Sequence, residues 1–274
     1  LFAGFGIGLR PNFYQEVLDT NPAVDWFEII TEDFLIEGGP ALYYLERIRQ
    51  NYPIAMHGVS MSIGSCDELD YGYLKRLKAL VDRFEPLSVS DHFCWTGING
   101  VNLHDLMPLP YTQECINHLV GRIQRVQEFL DRPILLENVS SYISYNSSQM
   151  TEWEFISHVA KQSGCNILLD INNIFINSVN HNFNPETYLF NIPKAHVQQF
   201  HLAGHDNCVT HIIDTHDDEI TQTVWDLYEK AVKHYGDVAT LIERDANIPP
   251  LNELIDEVRK AKCIHGRVNS GLFA

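Results

Sequence analysis

The chain has 274 residues, with 19 Lys and Arg against 36 Asp and Glu, a formal net charge of −17. Nucleic-acid binders use Lys and Arg to displace phosphate counterions, so this balance speaks against a nucleic-acid partner. At 45% hydrophobic and 20% charged residues the composition is that of a packed globular protein, which excludes disorder and collagen-like repeats.

Short β-rich apolar runs alternate with amphipathic helical patterns along the chain. Runs at 6–9 and 26–30 come first, then a helical pattern at 42–51, a run at 54–57 and a helix at 73–84. The order continues with a run at 87–92, a helix at 112–130, a run at 134–137, a helix at 151–163 and runs at 166–170 and 197–201. A helix at 221–235, a run at 240–243 and a helix at 251–261 close the series. Strand–helix alternation implies parallel pairing, and runs such as Ile134-Leu135-Leu136 and Ile167-Leu168-Leu169 suit strands covered on both faces. Eight strands in about 250 residues predict a single-domain α/β protein, a (β/α)8 TIM barrel of the xylose-isomerase type. The domain is expected to span residues 1–274, with a core from about 5 to 262 and a peripheral C-terminal tail. An open doubly wound sheet is the other option, but the glycines of Gly4-Phe5-Gly6-Ile7-Gly8 lie within the first run rather than between strand and helix.

No stretch reaches the roughly 18–20 uninterrupted apolar residues of a membrane helix. The start, Leu1-Phe2-Ala3-Gly4-Phe5-Gly6, has no secretory signal pattern, so a cytoplasmic location with no membrane partner is expected. The six cysteines form no C-x-x-C pair and are expected to be reduced thiols.

In such a barrel the C-terminal strand ends form the functional face. The third to eighth runs end in His57, His92, Glu137, Asp170, His201 and Glu243. One such residue alone is commonly a satisfied polar group; six in series are different. Carboxylates converging without Lys or Arg would repel one another and lose solvation, a conflict that metal ions remove. Asn173 follows Asp170 by three residues, and Asp214 and His216 form an Asp-x-His pair on one side of an extended segment. These nine side chains exceed the ligand number of one ion, so two or three ions are expected. All the donors are nitrogen or oxygen, which leaves Fe, Mn or Zn, and the His57, His92, Glu137 set matches open non-haem iron sites. His181, His205 and His211 are candidates for supporting or exposed positions. Trp95, Tyr142 and Phe175 are candidate walls of a peptide groove, and Trp153 reads as core or interface.

The motifs Gly6-Ile7-Gly8-Leu9-Arg10, His57-Gly58-Val59-Ser60, Ser90-Asp91-His92, Leu136-Glu137-Asn138, Asp170-Ile171-Asn172-Asn173, His201-Leu202-Ala203-Gly204-His205, Asp214-Thr215-His216 and Leu241-Ile242-Glu243 cover nearly the whole chain. Together they resemble the multinuclear non-haem iron-dependent oxidases, formerly a domain-of-unknown-function family and typified by the methanobactin-maturing oxidase. The resemblance implies two or three iron ions in a mixed-valent Fe2+/Fe3+ cluster, O2 as oxidant, and a Cys-containing ribosomally made precursor peptide as substrate. It also implies a separate partner protein that captures the leader peptide. By the same resemblance His57, His92 and Glu137 hold one iron, with Asp170, His201, Glu243 and a bridging Glu137 around a second. Asn173, Asp214 and His216 hold the third. Asp217 and Arg244 follow His216 and Glu243 where many relatives carry Gly and a bulky aromatic, a departure that bears on the pocket rim.

Two other enzyme classes use similar ligands. A divalent-metal sugar isomerase or epimerase of the xylose-isomerase type would need one or two Mn or Mg ions and no O2. A tri-zinc endonuclease is disfavoured by the charge of −17, because its substrate is polyanionic. A metal buffer or scaffold would bind ions without consuming oxygen.

Overall fold

The computed structural model describes residues 2–270. Eight parallel strands close into a barrel: β1 (Phe5–Gly8), β2 (Trp26–Ile30), β3 (Ile54–His57), β4 (Val89–His92), β5 (Leu135–Glu137), β6 (Asn166–Asp170), β7 (Val197–Leu202) and β8 (Ala239–Ile242). Each strand pairs with the next, and β1 closes the ring on β8 through Phe5 opposite Thr240 and Ile7 opposite Ile242. The predicted (β/α)8 barrel is therefore the observed fold, and the predicted runs match their strands to within two residues.

Alternation along the strands sorts the side chains into two cores. Phe27, Ile29, Ile54, Met56, Ile167 and Leu169 belong to the large cluster between barrel and helices. Trp26, Ala55, Ala239 and Leu241 form a separate cluster that plugs the lower end of the barrel. Gly6 makes room for that plug, since a Cβ there would lie 2.5 Å from the Trp26 ring. Polar residues occupy the same inward register above the plug, among them Glu28, Gln199 and the strand-end groups.

The helices are α1 (Tyr14–Thr20), α2 (Pro40–Arg49), α3 (Tyr71–Phe84), α4 (Gln113–Leu130), α5 (Glu152–Ser163), α6 (Ile171–Asn180), α7 (Pro185–Asn191), α8 (Gln222–Tyr235) and α9 (Leu251–Asn269). Three of them, α1, α6 and α7, are not legible as amphipathic patterns. The two shorter ones offer only two turns, while α6 is buried almost all round and so has no polar face. Its start is set by Asp170, whose side chain accepts the Asn173 amide hydrogen bond as an N-cap. The last helix extends beyond the expected end at 261 to Asn269, with Ile264 buried and the Phe5 ring edge-on to His265. The expected core boundary near 262 therefore moves outward, and residues 271–274 of the predicted tail lie outside the described residues.

Two hairpins were not anticipated. Trp95–Ile98 pairs with Val101–Met107 after β4, and Asp206–Asn207 pairs with Ile212–Ile213 after β7. The first turns through Asn99 and Gly100, both at positive φ, as a two-residue turn of this hand requires. Both hairpins leave the C-terminal end of the barrel. Among the described residues no helix is long and apolar enough to cross a membrane, and Cys66, Cys94, Cys115, Cys165, Cys208 and Cys263 are free thiols.

Candidate metal centre

Glu137, the last residue of β5, is the centre of the strand-end ring. Its Oε2 lies 3.2 Å from His57 Nε2 and 3.3 Å from His92 Nε2, while Oε1 lies 3.5 Å from His201 Nδ1. His201 Nδ1 is 2.8 Å from Glu243 Oε2, which in turn is 3.1 Å from His216 Nδ1. The far nitrogen of His216 is 2.8 Å from Asp214 Oδ1 and 3.7 Å from Asp170 Oδ2. These contacts run without a break from β3 round to the loop after β7.

Donor atoms within 4.8 Å of one another gather into overlapping sets: His57, His92 and Glu137; Glu137, Asp170, His201 and Glu243; His57, His201 and Glu243; and His216, Glu243 and Asp245. Glu137 and Glu243 each belong to more than one set, the position a bridging carboxylate takes between neighbouring ions. Above them is a cavity of about 140 Å³ walled by His57, His92, Asn173, Asp214, His216 and Leu106 of the first hairpin. Asp170 and His201 lie deeper, fully buried.

The hydrogen bonds behind the rings decide which nitrogen faces inward. Ser90 Oγ donates to the Met56 carbonyl at 3.2 Å, so its lone pair accepts the His57 Nδ1 proton at 2.8 Å. His92 Nδ1 meets the Gly58 carbonyl at 3.1 Å, which can only accept. Both rings therefore use Nδ1 for these partners and turn Nε2 toward Glu137, as metal-binding imidazoles do. His201 is held the other way round, with Nε2 3.0 Å from Glu28 Oε1 and Nδ1 inward. Gln199 Nε2 donates to the second oxygen of Glu28 at 2.6 Å. On β6, Asn138 pairs with the Asp170 backbone at both N–H and C=O, and Asn173 Nδ2 donates to the Asn138 carbonyl.

The inward atoms test whether these residues suit a cation. Glu137 Oε2, Asp170 Oδ2, Asn173 Oδ1, His201 Nδ1, His216 Nε2 and Glu243 Oε2 are all buried and have no hydrogen-bond partner. His201 Nδ1 and Glu243 Oε2 approach to 2.8 Å yet lack hydrogen-bond geometry. Buried orphans of this kind are costly and rare in folded proteins. Burial, reinforced by Glu137 and Asp214, pushes the Asp170 carboxyl well above its usual range despite His216. Burial opposes charge on His201, but Glu243, Glu28 and Glu137 outweigh it and hold its pKa well above the imidazole value. Too many carboxylates face too few cations, and divalent or trivalent ions at the orphaned atoms would satisfy both the charge and the lone pairs.

A family model described as "RiPP precursor modification enzyme MbnB/TglH/ChrH" matches residues 4–265. The chain belongs to this family. RiPPs are ribosomally synthesised, post-translationally modified peptides. A "UPF0276 protein" of Caulobacter vibrioides (strain NA1000 / CB15N) is 47% identical over 272 residues, covering 98% of this chain and 97% of the relative. Among solved structures, the barrel is similar to a D-tagatose 3-epimerase-like protein, with a TM-score of 0.63, 16% identity and coverage of 98% and 99%. It is also similar to D-psicose 3-epimerase, with a TM-score of 0.56, 10% identity and coverage of 97% of both chains. At such identities the likeness speaks for the xylose-isomerase-like fold alone.

Within this family member the nine sequence-predicted residues all fall in the one region. The first two predicted ligand groups coincide with compact donor sets. In the third, Asp214 Oδ1 lies 2.8 Å from His216 Nε2 and Asp170 Oδ2 3.7 Å from the same nitrogen, while His216 Nδ1 also joins Glu243 and Asp245. Asn173 contributes an orphaned oxygen on the cavity wall.

His205 bonds Asn172, His181 bonds Ser141, and His211 is exposed, so none of the three joins the ring. Tyr142 is an exposed residue of the β5–α5 loop whose hydroxyl accepts the Asp214 amide hydrogen, whereas Phe175 packs against His205. Trp95 walls a different cavity. Trp153 packs against Phe183 and Tyr188. Arg244 turns to Glu257 of α9 and Asp217 to Asn247, so neither unusual residue enters the metal cavity.

Sequence reasoning missed Glu28, Asp245 and Arg10. Glu28 interrupts an apolar strand without closing it, a signal the sequence carries in a position that strand-end reasoning passes over. Asp245 Oδ2 is 3.4 Å from His216 Nδ1, and Arg10 Nη2 holds its other oxygen at 2.6 Å across the β1–β8 closure. Arg10 closes the motif Gly6-Ile7-Gly8-Leu9-Arg10, but nothing local pairs it with Asp245.

Proposed function

We propose that this family member is a multinuclear non-haem iron- and O2-dependent oxidase that modifies cysteine in a ribosomally synthesised precursor peptide. Family membership supports a precursor-modifying enzyme, and the overlapping donor sets support adjacent ions. Bound iron would activate O2 and hold the substrate thiolate beside it, since metal coordination lowers a thiol's pKa.

The chain's own groups do the rest. His57 and His92 would hold one ion together with Glu137, which would also serve its neighbour. Asp170, His201 and Glu243 would hold the second, and His216, with Asp214, Asn173 and Asp245 on the same cavity wall, would hold the third. The apolar wall residues Ile30, Val59, Leu106 and Val139 would limit bulk water at the reacting group. A separate protein that captures the leader of the precursor is part of this reading, as is a cytoplasmic location.

The observation that carries the proposal is the six orphaned, inward-facing nitrogen and oxygen atoms. The test is elemental analysis of anaerobically purified protein, with Mössbauer or paramagnetic resonance spectra to count coupled ions. Two or three iron atoms per chain and O2-dependent change of a cysteine peptide are expected. A single Mn or Mg with O2-independent sugar epimerisation, or three Zn with no iron-dependent activity, would overturn it.

A further inference from the structure

The loop after β5 faces two ways. Val139 and Ser140 line the metal cavity, while Ser141, next in the chain, lines a second cavity of about 360 Å³. Its walls include Tyr111, Tyr145, Trp153 and Phe183, with Glu152 as its one carboxyl group and His181, whose Nε2 bonds Ser141, as its one imidazole; no Lys or Arg lines it. Phe183 and Tyr188 hold the Trp153 ring in place, each with a centroid separation of 5.6 Å. Asn177 Nδ2 donates to Glu152 Oε2 at 3.2 Å, and the Tyr188 hydroxyl is the other polar neighbour; neither carries a charge.

We propose that this cavity is a subsite for a cationic side chain, Lys or Arg, of the peptide substrate. The source of the cation rests on the peptide-modifying reading above. The chemistry rests on the cavity itself. Aromatic faces attract ammonium and guanidinium groups, and a carboxylate without a counter-charge completes the pairing. Burial pushes the Glu152 carboxyl up to about 8, so the cavity holds it protonated near neutral pH and a bound cation would displace that proton. An anionic ligand would keep the proton on Glu152 and gain no ion pair, and a purely apolar one would cover the carboxyl without compensating it. Because adjacent residues of one loop wall both cavities, anchoring a basic residue here would set which neighbouring residue reaches the metals.

The test titrates N-acetyl-lysinamide, N-acetyl-argininamide and N-acetyl-norleucinamide into the metal-replete protein carrying 5-fluorotryptophan, with the Trp153 resonance as readout. The two cations should shift it saturably, and the norleucine compound should bind about tenfold more weakly. Glu152→Gln should lose about tenfold in cation affinity, with melting temperature and metal content as controls. Tyr145→Ala, on the loop, supplies a second variant should the first fail to fold, and it should weaken binding several-fold. Equal binding of norleucinamide, no saturable shift with either cation, or unchanged affinity in the variants would overturn the proposal. The readout needs no turnover, so lost cation binding at full iron content counts against this subsite alone. Missing iron with cation binding retained counts against the oxidase reading alone.

Discussion

Glu28 Oε1 lies 3.0 Å from His201 Nε2, inside the barrel and one layer below the ring of ligand atoms. This contact fixes the imidazole with Nδ1 toward Glu137 and Glu243, and Gln199 fixes Glu28 in turn. Glu28→Gln should therefore weaken metal binding about 10-fold or more without touching a donor atom, because the carboxylate no longer orients the ring and raises its basicity. Competition with a graded series of chelators measures it; wild-type affinity would show that His201 is oriented by packing alone.

Glu137 is shared between two donor sets, whereas Asp170 belongs to one. Glu137→Ala is expected to cost more than one ion per chain, and Asp170→Ala about one. Glu137→Ala should keep the far-UV circular dichroism of the parent, and Asp170→Ala should lose at most the first turn of α6, which its side chain caps. Unchanged stoichiometry in either would refute its assignment as a ligand.

Glu152 makes stability depend on pH through a group remote from the metals. Its folded pKa, raised from 4.5 to about 8, means that the folded chain holds a proton the unfolded chain has released across that window. Stability should thus fall as pH rises from about 4.5 to 8 and level off above. Glu152→Gln removes this component, so thermal melts of the variant should decline less over the same range. Parallel curves would place the carboxyl in contact with solvent or a counter-ion.

Gly6 admits the Trp26 ring that plugs the barrel, with no space for a Cβ 2.5 Å from it. Gly6→Ala should lower stability by about 1–3 kcal/mol, typical of overpacking in a rigid core. Denaturant unfolding monitored by tryptophan fluorescence reads this directly. A neutral result would mean that Trp26 can shift within the barrel.

Much of this protein was legible from local pattern. Strand and helix periodicities are short-range properties of the chain, and they determine the eight-fold alternation and hence the barrel. Strand polarity then brings the residues closing each apolar run to one end, which is why His57, His92, Glu137, Asp170, His201 and Glu243 could be named together. Helices without a polar face, such as α6, and the hairpin at 95–107 escaped because burial on all sides or a turn in an otherwise unremarkable segment leaves no periodic trace.

Only the tertiary structure decided how the ligand groups are held. Which nitrogen of His201 faces inward depends on Glu28, 173 positions earlier in the chain; the pairing of His216 with Asp245 depends on Arg10 across the barrel closure. The sequence by itself determined which donors meet at the strand ends. Side-chain direction, shared oxygens and the cavity beside Glu152 arise from contacts between distant strands and loops, and such contacts are set by the closed register of the barrel rather than by any local run of residues.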